Sequence, residues 1–298
     1  MNSLLEFAEA AFGPLVLVFT VSNLASMGLQ VNIPQVLKTI RNPRFLGLVL
    51  VWGWVVGPAL GYLITRILPL AGPFAAVVLL TSLAPCAPFL PPVVERARGD
   101  LAFAGAFIPA AAVGTVVFMP LIAPQLIQGL TLSVLSLATP LVLTVLIPLL
   151  IGAAIRTYAA PVAAKLFRPV KAIAGLSTAL TVLFCVLLYT PQMLDTAGSF
   201  ALASMTLFML VMGLLAYRFG FGLKQSQRSV MSMGMGTRNI AAVFAGVLAI
   251  PNGDPRMVAM VVMWTLWSFV LAKIAAPILG RLADTPAAPQ VGESRHGG

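Results

Sequence analysis

The sequence is poor in charge and in the residues that carry most enzyme chemistry. Charged side chains make up 9% of the 298 residues, against about 25% in soluble domains, so a water-facing surface could not be covered. There is one histidine, His296 near the C-terminus, which excludes an imidazole metal site or a histidine proton relay in the apolar part. The two cysteines, Cys86 and Cys185, both lie in apolar runs, so no disulfide framework is expected. The eight acidic residues are Glu6, Glu9, Glu95, Asp100, Asp195, Asp254, Asp284 and Glu293, and none falls at the centre of an apolar run. Covalent, acid–base or metal catalysis needs a nucleophile–base pair, paired acids or metal ligands. Without them, no enzyme activity, metal or cofactor is expected.

What the chain has is apolar length. Hydrophobic residues make up 60%, and roughly 20 consecutive apolar residues cross a bilayer. Polar or Pro/Gly breaks divide the chain into nine such segments, at about 13–31, 45–68, 73–94, 100–127, 132–155, 172–191, 199–222, 229–250 and 257–280. Residues 1–12 are too short to span and are expected along the interface. Glu6 and Glu9 precede any basic residue, so no signal peptide is read. Residues 281–298 form a cytoplasmic tail, rich in Pro, Ala and Gly from Asp284 and expected to be disordered.

The net charge of +10 is a topology signal and not a nucleic-acid footprint, because the basic residues sit between apolar runs. Lys38, Arg41, Arg44, Arg96, Arg98, Arg156, Lys165, Arg168, Lys171, Lys224 and Arg228 fall in alternate loops, while the other loops hold little beyond Arg66 and Arg256. The excess predicts a multi-pass protein of the cell membrane, with membrane lipid as its surroundings, the N-terminus outside and the C-terminus in the cytoplasm.

Two segments are interrupted at their centres. In the third, Pro85, Pro88, Pro91 and Pro92 put four prolines in eight residues around Cys86, which no continuous helix accommodates. In the eighth, Gly234 and Gly236 precede the polar run Thr237-Arg238-Asn239. Broken backbone at membrane depth survives only where protein or a wet cavity satisfies it, and a matched pair of breaks points to a transporter's central site. The structural alternative is a pair of packing kinks. Arg238 is the one charge at mid-span, where insertion costs about 2.5–3.5 kcal/mol. It is expected to bind an anion together with Thr237 and Asn239 near a half-helix start. Carbonyls freed at the third segment's break are its structural alternative. Ser22, Asn23 and Ser26 on the first span and Thr265 and Ser268 on the ninth are further candidates, although such hydroxyls commonly bond their own backbone.

Several stretches together resemble the bile acid:sodium symporter family. They are Met27-Gly28-Leu29 before a polar loop to Arg41-Asn42-Pro43, the proline-rich break with Ala97-Arg98-Gly99-Asp100 after it, and Gly234-Met235 with Asn239-Ile240-Ala241-Ala242. The resemblance implies an all-α fold of two inverted repeats. A panel (about 13–31 and 132–191) would face a core (about 45–127 and 199–280) in which the broken helices cross. It also implies carriage of organic anions such as bile acids, steroid sulfates or small carboxylates. At the positions the family uses for sodium, this chain has Ser232, Gly236, Leu90, Pro91, Ala104, Ile108 and Gly53. A hard cation needs oxygen ligands, so sodium independence is expected, with Arg238 as a fixed cation in the ion's place. The expected function is a secondary carrier of a small organic anion. The alternative is a non-transporting receptor on the same fold. The sequence assigns no oligomeric state.

Overall fold

A computed structural model describes residues 2–127 and 133–284. Among these the structure is helical, with one isolated antiparallel bridge. Helix α1 runs Asn2–Gly28, α2 Ile33–Ile40, α3 Pro43–Val51 and α4 Gly57–Ile67, the last two joined by a π turn at Trp52–Val56. Then come α5 (Gly72–Ser82), α6 (Leu90–Arg96), α7 (Leu101–Leu126), α8 (Val134–Leu141), a second π turn at Val142–Leu146 and α9 (Ile147–Tyr158). The chain continues with α10 (Ala160–Gly198), α11 (Ala201–Arg218), α12 (Gln225–Gly236), α13 (Ile240–Leu248) and α14 (Pro255–Asp284).

Among the described residues, seven helical stretches are long and apolar enough to cross a membrane: Leu5–Gly28, Pro43–Ile67, Leu101–Leu126, Val134–Tyr158, Ala160–Gly198, Ala201–Arg218 and Pro255–Ala283. Two further apolar segments are split into shorter helices, α5 with α6 and α12 with α13.

The structure departs from the sequence reading in four places. Helix α1 is continuous from Asn2 through Pro14, so residues 2–12 extend the first span. Residues 33–40, expected as polar loop, form α2, started by Asn32, whose side chain accepts from the Gln35 N–H, with Pro34 in the first turn. Both are standard helix starters. The basic stretch 160–171 is the first part of α10, which is 39 residues long and leaves helical geometry at Tyr189. Hydropathy picks out only the apolar part of such a helix, which explains the shorter expectation. Residues 281–284 are still helical; 285–298, where the rest of the tail was expected, and position 132, where the fifth span was expected to begin, lie outside the described residues.

Each π turn ends two residues before a proline, Pro58 or Pro148. A proline ring has no N–H and collides with the carbonyl four residues back, so the preceding turn widens. Helix α1 packs along α9 and α10. A Cβ on Gly28 would lie 2.3 Å from the Leu149 carbonyl oxygen, and one on Gly152 2.7 Å from that of Ala25. These two glycines let the helix backbones touch, the usual device of membrane helix pairs. The split helices lie in the interior, and every residue of 229–244 is buried.

Candidate functional site

The site begins with proline chemistry. Helix α5 stops at Ser82, ahead of Pro85, and α6 starts at Leu90 with Pro91 and Pro92 in its first turn. Between them Cys86 takes a left-handed φ of 78°. On the other segment α12 ends at Gly236, Thr237 is extended, and the Asn239 side chain caps α13 by accepting from the Ala242 N–H at 3.2 Å.

The two breaks pair with each other. Pro85 and Arg238 form the antiparallel bridge. The Cys86 N–H donates to the Gly234 and Thr237 carbonyls at 2.9 and 3.1 Å, and the Asn239 N–H donates to Ala84 at 2.8 Å. The Ala87 N–H reaches Thr237 Oγ1 at 3.3 Å. Backbone groups that lipid could never satisfy are thus satisfied across the crossing.

Arg238 is fully buried there. Its Nη1 donates to the Ser82 carbonyl at 3.3 Å and its Nη2 to that of Met235, while the guanidinium carbon lies 4.4 Å from the centre of the Phe208 ring. Nε has no hydrogen-bond partner among the described residues. Ser82 and Met235 are in the last turns of α5 and α12, where carbonyls lack helical partners and the helix dipole is negative. The neighbouring Leu83 carbonyl accepts from Trp54 Nε1 at 3.1 Å.

A cavity of about 390 Å³ lies between α1 and α10 on one side and the two breaks and α14 on the other. Four of the expected substrate residues line it: Asn23, Ser26, Arg238 and Thr265. The other four do not. Ser22 faces α10, its Oγ 3.4 Å from Ser177 Oγ; Ser268 is buried and donates to the Thr265 carbonyl; Thr237 and Asn239 are used in the crossing. Among the break residues, Pro88, Pro91 and Pro92 line the cavity. Pro85, Cys86 and Gly234 form the pairing, and Gly236 packs close to the Met209 carbonyl on α11. Gln30, Lys171 and Thr178 line the cavity without having been singled out. Their signal was helical spacing: Phe19, Asn23 and Ser26 share one face of α1, with Gln30 in the turn just after it, and Lys171, Ala174, Gly175 and Thr178 share one face of α10.

The positions that the resemblance assigns to sodium ligands surround the crossing with apolar atoms. A Cβ at Gly53 would meet Pro85 at 3.6 Å and Met235 at 3.9 Å. Leu90 is buried, and Ala104, Ile108 and Pro91 line a second cavity of about 380 Å³. Ser232 faces Gly213 on α11 instead.

The model of the sodium bile acid symporter family matches residues 15–195 of this chain. The chain belongs to that family. The matched region takes in the proline-rich break and the α1 and α10 faces of the cavity, and ends before α12. The family is one of transporters and not of enzymes, and together with the seven apolar helices it makes this symporter-family chain a multi-pass membrane protein. It is also similar to a probable chloroplastic sodium/metabolite cotransporter of Arabidopsis thaliana, 23% identical over 227 residues, which are 75% of this chain and 53% of that protein. The chain therefore spans about half the length of that curated relative.

Proposed function

We propose that this protein is a secondary carrier of a small organic anion that works without sodium, because Arg238 occupies the place of the coupling cation. The observation behind this reading is the pair of carbonyls that Arg238 holds, Ser82 at the end of α5 and Met235 at the end of α12. Ends of broken helices are where transporters coordinate sodium. Here a covalently attached guanidinium already takes those oxygens, and four further carbonyls of the breaks, those of Leu83, Ala84, Gly234 and Thr237, accept from Trp54, Asn239 and Cys86. A sodium ion entering this point would have to displace a fixed positive charge in a low-dielectric interior, which Coulomb repulsion opposes.

In this reading the seven long helices and the two split ones make nine crossings, with the N-terminus outside. The panel (α1, α8 to α10) rocks against a core formed by the other spans, and the cavity between them carries the substrate. The relative's name motivates a metabolite as cargo. Uptake of radiolabelled organic anions into proteoliposomes, in sodium and in choline buffer, is the test. Equal saturable uptake in both is expected. A tenfold stimulation by sodium defeats the sodium-free reading, and binding without flux favours a receptor.

A further inference from the structure

We propose that Lys171, at the mouth of the cavity, is the residue that meets the charged group of the transported anion, which binds with its apolar part innermost. This rests on the carrier reading above and adds a specificity-determining residue to it.

The argument is an inventory of donors. An anion needs N–H or O–H groups that are not already committed. Each hydroxyl lining the cavity has one proton, and each spends it on its own helix: Ser26 on the Asn23 carbonyl at 2.8 Å, Thr178 on Ala174 at 2.6 Å, Thr265 on Val261 at 2.9 Å. Asn23 Nδ2 donates to the Phe19 carbonyl at 2.9 Å and to Thr178 Oγ1 at 3.4 Å, which uses both of its protons. Arg238 keeps N–H groups to spare, its Nε among them, but it is fully buried and its terminal nitrogens hold it to the ends of α5 and α12. Gln30 commits one amide N–H to the Ser26 carbonyl at 3.2 Å. Lys171 differs. Its ammonium has no hydrogen bond or ion pair among the described residues and lies 5.2 Å from the centre of the Phe167 ring.

Its position suits the task. The cavity and the second one of about 380 Å³ share Gln30, Pro91, Pro92 and Lys171, so the lysine stands where they meet. The next residues on its face of α10, Ala174 and Gly175, are small and leave the ammonium room to reach inward. The other walls are the buried Phe19, the half-buried Phe89 and the more exposed Phe269, the last two edge to face with centres 5.4 Å apart. The Lys273 ammonium lies 4.4 Å from the Phe269 centre. A charge placed between Phe19 and Phe89 would be desolvated with few donors, which is costly, whereas an apolar body gains there. The charge therefore stays at the lysine. Glu95 lines the second cavity beside Lys171 and opposes an anion at the same place.

The test uses the purified full chain in nanodiscs of neutral lipid, with radiolabelled pyruvate, 4-phenylbutyrate and cholate as probes. For a probe that binds, Lys171→Gln is expected to weaken affinity about tenfold or more, the scale of a lost charge-assisted contact, with an unchanged thermal midpoint. Lys171→Arg should restore it, Glu95→Gln should tighten it, and the neutral amide of the probe should bind wild type and Lys171→Gln alike. Equal affinity of wild type and Lys171→Gln overturns the inference while leaving the carrier reading standing. A loss of affinity that comes with a lowered midpoint and no rescue by arginine also overturns it, since the role is then structural. Failure of all three probes to bind the wild type overturns both.

Discussion

Arg238 sets two opposing free energies against each other. Burying its charge without a carboxylate costs about 2.5–3.5 kcal/mol, while removing it would leave the Ser82 and Met235 carbonyls unpaired at about 1–3 kcal/mol each. The two are of similar size, so Arg238→Met should keep the fold, with a thermal midpoint close to wild type, but lose uptake. A variant that transports like wild type would reduce the arginine to a packing role. The neighbouring polar residues show how fine the angular reading must be. Successive helical residues are rotated by about 100°, so Asn23 lines the cavity while Ser22 meets Ser177 on α10. Asn23, Ser26 and Thr265 were legible from spacing. Lys171 was not, because a basic residue near a span end also reads as a topology signal, and hydropathy cannot tell an ammonium in a loop from one at a cavity mouth.

At the scale of elements, the breaks were legible because proline and glycine act locally on their own backbone. Helix α2 and the basic start of α10 were not, since α2 is amphipathic and the apolar run of α10 begins only after its basic start. The contact of α1 with α9 depends on two missing side chains. Gly152→Val would push carbon into the Ala25 carbonyl and the Leu29 nitrogen, 2.7 and 2.8 Å from an added Cβ, and backbone there cannot yield. Overpacking of this kind costs about 1–3 kcal/mol, so the midpoint in detergent should fall clearly, while Gly47→Ala, with nothing within 4 Å, should leave it unchanged.

The start of α14 also meets α10 through charge. Arg256 donates to Asp254, with Nη2 to Oδ2 at 2.7 Å, and lies 3.7 Å from Asp195. The Arg256 hydrogen bonds hold the Asp254 carboxyl below the usual carboxylate range, against a smaller upward push from burial. A depressed carboxylate contributes above its free value, and the contribution is lost as pH falls through the lowered one. Spin labels at Leu194 and Asn252 should therefore keep their distance from pH 8 down to about 4, the free carboxylate value, and separate only below it. Separation between pH 5 and 7 would show that this cluster does not hold the two elements together. The contact is solvent-exposed, so high salt should weaken it as well.

For the whole molecule, composition and hydropathy by themselves determined the class, a helical membrane protein with two broken segments, and the motifs added a resemblance to one transporter family. Those properties are local, each read from a run of about 20 residues and the solvent it requires. The tertiary structure decided how the two breaks meet. It brought residues 150 positions apart into hydrogen-bond contact, Ala87 to Thr237, and placed the last carbonyls of α5 and α12 around Arg238. It also decided which polar side chains face the cavity and which had already spent their protons. A hydrogen bond depends on distance and direction between groups remote in sequence, and one-dimensional spacing carries neither once the chain leaves a single helix.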